Sequence, residues 1–198
     1  MNTQWRPGAG TVLAVVDMQE VFAQETSWQI PSFSRIVPAI QALATAYCAR
    51  CIFTRFVYQD PDQWPGAAWQ DYYVRWGFLK GRDDLAQIVE PLRSMARIVV
   101  DKPTYSCLNG RFMEEFRALG GQRLIFAGVE TDACVMASVF DAIDAGYPCA
   151  VVKDACTSSL SETHAAALAI FERLPDQICI LRTADLLPGW PDGADGQT

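Results

Sequence analysis

The sequence predicts a three-layer α/β/α protein built on a mainly parallel sheet of six strands. Two observations carry that prediction. Six short strand-like runs alternate with helical patterns along the chain. The runs are also near-continuously apolar, as strands buried on both faces of a parallel sheet must be. A chain of 198 residues suits one such domain and is short for two.

The elements follow in order. Thr11–Val16 reads as a buried strand that ends abruptly on Asp17. A helical pattern over Ser32–Ala49 leads to a second strand, Cys51–Phe56. Asp84–Leu92 reads as a helix, and Arg97–Val100 as a strand running into Asp101, Lys102 and Pro103. A helix over Gly110–Leu119 precedes the strand Leu124–Ala127. The next helix, Asp132–Ala145, gathers Val135, Val139, Ala142 and Ile143 on one face. Cys149–Val152 is a strand, Ser161–Leu174 a helix whose Ser-Glu-Thr-His start precedes an Ala-rich run, and Ile178–Leu181 the last strand. No repeat or linker interrupts the series, so residues 1–198 read as one domain with a frayed tail from Gly189.

One insertion, near residues 60–80, breaks the alternation. After Asp60-Pro61-Asp62-Gln63-Trp64-Pro65-Gly66, the aromatics Trp69, Tyr72, Tyr73 and Trp76 recur at helical spacing and would share one face. Long insertions after a strand's carboxyl end serve as lids. Aromatic faces also serve as subunit contacts, and both readings stay open for a homo-oligomer, dimer or tetramer.

Composition narrows the function. Hydrophobic residues make up 51% of the chain and charged residues 20%, the profile of a globular protein. A formal charge of −7 offers no basic stripe for phosphates, which argues against a nucleic-acid partner. No apolar run is long enough to span a bilayer, and Met1–Pro7 lacks the apolar core of a signal peptide, so a cytoplasmic location is expected. Seven cysteines, an odd count, argue for reduced thiols. Cys48 and Cys51 form a C-x-x-C pair that closes a helix, unlike redox pairs that open one; both read as core residues, as do Cys149, Cys156 and Cys179.

Cys134 is the exception. It lies in Gly128-Val129-Glu130-Thr131-Asp132-Ala133-Cys134-Val135, between a buried strand and an amphipathic helix. With Thr131 as N-cap, Cys134 falls in the first turn among unpaired N–H groups, a setting that favours thiolate. A buried structural cysteine is the equal alternative. Two more strand ends alter that balance. In an open parallel sheet the carboxyl ends converge on one crevice, and Asp17, Lys102 and Cys134 all sit at such ends. Singly, Asp17 could cap a loop and Lys102 could be solvated. Together they supply a carboxylate, a cation and a nucleophile, the parts of an acyl-transfer site that needs no histidine.

From about Thr11 to Leu187 the chain resembles the isochorismatase-like cysteine hydrolases, which include nicotinamidases and N-carbamoylsarcosine amidohydrolases. The matching motifs are Asp17-Met18-Gln19 with Phe22, Lys102 with Tyr105-Ser106, and Gly128 to Val135. Val21 stands where an acidic residue is frequent, and Cys107-Leu108 replace a common Ala-Phe. The resemblance implies a Rossmann-like hydrolase fold and an Asp17–Lys102–Cys134 triad that cleaves the C–N bond of a small amide, ureide or carbamoyl compound through a Cys thioester. It further implies an oxyanion hole from the backbone N–H groups of Glu130 and Cys134, with a cis bond between Val129 and Glu130. Phe22, Gln19 and Tyr105, within the matching blocks, are candidate pocket residues, with Trp69, Tyr72 and Trp76 from the aromatic segment. Arg55, at the second strand's end, either pairs with a substrate carboxylate or faces outward.

Nicotinamidases of this family carry a metal site of one Asp and two His after the second strand. Here Thr54–Asp60 contains no His, so neither a metal nor another cofactor is expected. His164, the only histidine, is placed far from the strand ends and reads as a surface or capping residue. Isochorismatases proper cleave a vinyl ether and lack the nucleophilic Cys. Two rival classes remain: a catalytically silent relative acting as a binding or assembly protein, and a phosphoacceptor signalling domain, which also pairs an early Asp with a later Lys-Pro.

Overall fold

A computed structural model describes residues 6–191. Its first strand, β1 (Thr11–Val16), is buried at all six positions, because it lies at the middle of the sheet with a core on each side. Leu13 and Val15 enter one core, Val12, Ala14 and Val16 the other. That two-sided burial is why the strand lacks polar alternation.

The other strands are β2 (Cys51–Phe56), β3 (Val99–Lys102), β4 (Arg123–Val129), β5 (Cys149–Thr157) and β6 (Ile178–Leu181). All pairings are parallel, in the order β3-β2-β1-β4-β5-β6. The order reverses between β1 and β4, so the loops leaving these two strands diverge and open a crevice at their carboxyl ends.

The helices are α1 (Glu20–Ala23), α2 (Phe33–Ala46), α3 (Ala67–Arg75), α4 (Gly110–Ala118), α5 (Met136–Asp144), α6 (Ser161–Glu172) and α7 (Thr183–Leu186). Phe33, Ile36, Ile40 and Leu43 of α2 fill the core on one face of the sheet. Phe112 and Phe116 of α4, Val139 and Ala142 of α5 and Phe171 of α6 fill the other. The result is the three-layer α/β/α arrangement, with an all-parallel sheet.

Three expectations need correction. Asp84–Leu92 is not helical. Its backbone pairs instead with the chain after β1: Glu20 N–H donates to Gln87 O, Val21 N–H to Leu85 O, and Val89 N–H to Met18 O. Leu85 O, Gln87 O and Val89 N–H are thereby committed to a distant segment and withdrawn from a helical ladder. Strand β3 lies two residues further along than Arg97–Val100, which brings Lys102 into the sheet opposite Phe56. Cys48 is exposed in the turn after α2, whereas Cys51 is buried in β2, and every described cysteine is a free thiol. The tail expected to fray from Gly189 lies outside the described residues from 192 on; within them, Trp190 packs against the α2-side core. No helix among the described residues is long and apolar enough to cross a membrane.

Candidate active site

Asp17, Lys102 and Cys134 meet at the crevice. The Lys102 Nζ lies 2.7 Å from Asp17 Oδ2 and 3.2 Å from the Cys134 Sγ. Lys102 and Asp17 are wholly buried, and Cys134 is 7% exposed. Lys102 reaches the crevice from β3 by crossing the ring of Phe56, with Nζ 5.1 Å from its centroid, and donates a further bond to Thr104 O.

Burial lowers the pKa of Lys102, but Asp17 and Cys134 more than offset this and hold the ammonium above its ordinary value. For Cys134, burial pushes the thiol up; Lys102 opposes this and Asp17, facing the sulfur, reinforces it. Burial at Cys134 thus works against the thiolate that a helix start and the Lys102 ammonium favour. Desolvation wins because the thiol is almost sealed from water.

The backbone explains the placement. Asp17 has φ +51°, a left-handed conformation that turns its side chain back under the strand ends. Thr54, on neighbouring β2, holds it there. Its hydroxyl accepts from Asp17 N–H at 3.2 Å and donates to Asp17 Oδ1 at 2.7 Å. Thr54→Val keeps the shape but removes both bonds, leaving a buried N–H unpaired. It is expected to lower stability by about 1–3 kcal/mol, read from the urea midpoint; an unchanged midpoint would contradict that role for the hydroxyl.

On the other side of the crevice, Gly128 has φ +117°, and an added Cβ would lie 2.1 Å from Val16 O, so β4 and β1 touch backbone to backbone. The Val129–Glu130 peptide is cis. Thr131–Val135 then form a π-helical turn with Glu130, not Thr131, as N-cap and no side chain capping it. The Thr131 hydroxyl is engaged elsewhere, with His164 Nδ1 at 2.8 Å. Ser138 secures the turn from α5, donating to Cys134 O at 2.6 Å and accepting from Cys107 N–H at 2.9 Å.

Cys134 opens onto a cavity of about 560 Å³, a size suited to a small molecule. Phe22, Phe56, Tyr72, Trp76 and Tyr105 form aromatic walls, and Glu130 and Cys134 line it together. Of the substrate-binding candidates, Phe22, Tyr72, Trp76 and Tyr105 therefore face the cavity. Gln19, Arg55 and Trp69 do not. The Gln19 amide is buried structure, donating to Phe56 O and Ala86 O and accepting from Phe56 N–H. Arg55 makes a two-pronged pair with Asp101 at 2.7 and 2.8 Å along the sheet surface. Trp69 stacks on Trp64 with centroids 5.4 Å apart.

Trp28 was missed by sequence reasoning. Its ring stacks on Phe22 and meets Phe56, Trp76 and Phe78 edge-on, joining the chain after β1 to the α3 segment. A single tryptophan in a polar loop carries no periodic signal; its distance from the Asp17 block was the available hint. His164 was misplaced: α6 packs against the π-helical turn, so the histidine sits beside the site. Among the described residues no three His, Cys, Asp or Glu side chains converge to hold a metal ion. Asp60, the first carboxylate after β2, pairs with Lys80 at 2.7 Å.

Comparison with known proteins agrees with this fold. The isochorismatase domain family matches residues 11–184. A probable inactive nicotinamidase of Arabidopsis thaliana is 26% identical over 184 residues, covering 84% of this chain and 88% of that protein. An isochorismatase domain-containing protein 2 of Xenopus laevis is 38% identical over 58 residues, 29% of this chain and only 28% of that relative's length. A cysteine hydrolase from Pseudomonas syringae pv. phaseolicola 1448A has a similar fold, with a TM-score of 0.80 at 22% identity over 92% of this chain and 93% of that one.

Proposed function

The chain belongs to the isochorismatase family, a family of hydrolases, and from that premise we propose that it is a cysteine hydrolase cleaving a C–N bond of a small amide, ureide or carbamoyl compound. The observation that carries this reading is the buried Asp17–Lys102–Cys134 chain at the floor of an aromatic cavity.

The chemistry follows from the contacts among the three side chains. Asp17 takes the Cys134 proton as the sulfur attacks the carbonyl carbon, so no buried thiolate has to persist beforehand. Lys102 stays charged and offsets the anion that forms, now on the sulfur and now on the carboxylate. The tetrahedral oxyanion is bound by the backbone N–H groups of Glu130 and Cys134, fixed dipoles that need no rearrangement. Asp17 returns the proton to the departing nitrogen, leaving a thioester and free amine or ammonia. Asp17 then deprotonates a water that attacks the thioester, releasing the acid and restoring the thiol. No step requires a histidine or a metal.

The aromatic walls suit a compact acyl group with apolar faces, and the α3 segment closes the cavity as a lid. The Arabidopsis relative's name gives specific weight to a silent binding protein as the second reading. Here all three reacting groups are present and in contact, which favours catalysis. The phosphoacceptor reading finds no support in the family match.

An ammonia-release screen across small amides, ureides, carbamoyl amino acids and lactams tests the proposal. Turnover of at least one class is expected. Trp76→Ala should then shift relative rates among substrates about tenfold, the scale of a lost apolar contact, while iodoacetamide still modifies Cys134. If every substrate's kinetics survive Trp76→Ala and only subunit association changes, the α3 segment is an interface and not a lid. Failure of the whole screen, with small ligands still bound in the cavity, would favour the silent reading.

A further inference from the structure

The turn that carries Cys134 is tied to one distant segment by three consecutive side chains. Glu130 Oε1 accepts from Ser159 N–H at 2.9 Å. Thr131 Oγ1 and His164 Nδ1 are 2.8 Å apart. Asp132 Oδ1 accepts from the Ser158 hydroxyl at 2.5 Å. Ser158, Ser159 and His164 all lie between the end of β5 and the first turn of α6. Thr131 is wholly buried, and Ser158 is 3% exposed.

A π-helical turn is wider than an α-turn and recurs at functional sites. This one has no side-chain cap of its own. Its orientation therefore depends on ties from outside, and the β5–α6 segment supplies one to each of its leading residues. Of the three tied residues, Thr131 is the one that is wholly buried, three positions before the sulfur. Half-burial lowers the pKa of His164 while Asp132 opposes this, so the ring is neutral near neutral pH and able to share a proton with the hydroxyl.

We infer that His164 is a positioning residue for the Cys134 nucleophile, acting through Thr131 to fix the angle at which the π-helical turn presents the sulfur and the Glu130 and Cys134 amides. The inference rests on the hydrolase reading above. Misplacing a reacting atom by about 1 Å can cost on the order of 100-fold in rate, so a bond one turn away from the sulfur is able to matter without touching substrate.

The test uses p-nitrophenyl acetate, whose acetyl group would pass to the Cys134 sulfur with release of p-nitrophenolate and then to water. The variants are His164→Leu, His164→Asn, Thr131→Val and the Thr131→Val/His164→Leu double, each checked by thermal melting. His164→Leu should lower kcat about 10- to 100-fold, with KM within about twofold because the cavity walls are untouched. Asn, whose amide oxygen can stand in for Nδ1, should recover most of the loss. The double variant should be no slower than Thr131→Val alone, since both changes remove one bond. The rate of Cys134 carbamidomethylation, read by peptide mass spectrometry, should fall in parallel.

A His164→Leu kcat within about twofold of the parent would overturn the inference. So would independent, multiplying losses from Thr131→Val and His164→Leu with no recovery by Asn, which describe a general packing defect. Should His164→Leu fail to fold, His164→Asn and Thr131→Val decide: equal kinetics for parent and Thr131→Val overturn the inference, and a selective kcat loss in Thr131→Val supports it. Full turnover by Cys134→Ala would instead overturn the nucleophile assignment itself, and this inference with it.

Discussion

Cys134→Ala is expected to lower turnover on the order of 10⁴-fold or more and to leave the fold in place. The small side chain removes the sulfur from a floor position that the cavity already opens onto. Asp17→Asn should cost a comparable factor for a different reason, since the amide cannot accept the thiol proton. The two variants part company in stability. Asp17→Asn leaves the wholly buried Lys102 ammonium without its counter-charge, and breaking such a pair from one side costs about 3–5 kcal/mol. Cys134→Ala keeps the Asp17–Lys102 pair and should melt near the parent temperature. Steady-state rates beside urea unfolding separate these effects. A chelator should leave the rate unchanged, since no metal-binding group of three donors converges among the described residues, whereas iodoacetamide should abolish it. Cys134→Ala turning over at more than about a hundredth of the parent rate would exclude covalent catalysis at this sulfur.

Gly128→Ala is expected to be the most damaging single substitution for folding. Its Cβ would lie 2.1 Å from Val16 O and 2.8 Å from Val16 N, at a φ of +117°. Neither atom belongs to a side chain that can swing away. Relief requires β1 and β4 to part at the point where Asp17 leaves one and the Cys134 turn leaves the other. A loss above about 4 kcal/mol is expected, a large share of the roughly 5–15 kcal/mol that holds a domain together. Gly146→Ala is the control. Gly146 also has positive φ, +87°, but no atom within 4 Å of the added Cβ, so only the backbone term of about 1–2 kcal/mol applies. Equal urea midpoints for the two variants would show that the strand contact relaxes and that the clash is not decisive.

Much of the fold was legible because burial on both faces leaves a plain mark on a strand. β1, β2 and β6 have the expected bounds, and β4 and β5 extend beyond theirs. The extensions were hidden because β5 continues through half-buried Lys153 and Asp154, where the apolar run stops but the backbone does not turn. Asp84–Leu92 misled for the opposite reason. Its apolar residues Leu85, Ile88, Val89 and Leu92 have helical spacing and are indeed buried, but hydrogen bonds to Met18–Val21, 64 to 71 positions away, claim the backbone. Local periodicity carries no record of such a partner. The convergence of Asp17, Lys102 and Cys134 was readable because strand ends of a parallel sheet share one edge. Gln19 and Arg55 sit at the same edge yet serve the backbone and a surface ion pair, since position along a strand does not say which way a side chain turns. Thr54 was invisible for that reason too: its hydroxyl matters only because Asp17 lies beside it.

The attachment of α3 has a consequence for how this scaffold can be diversified. The segment enters between β2 and β3, supplies Tyr72 and Trp76 to the cavity, and is pinned through the buried Tyr73, whose hydroxyl donates to Pro103 O at 2.6 Å and Val57 O at 3.3 Å. Both acceptors are main-chain carbonyls, which any sequence provides. One tyrosine and two strand ends thus form a generic socket, and the stretch from the end of β2 through α3, residues 57–78, is a contiguous cassette that contains none of the three proposed reacting groups. Libraries that randomise this cassette around a retained Tyr73 can explore new substrate shapes while the chemistry is inherited intact.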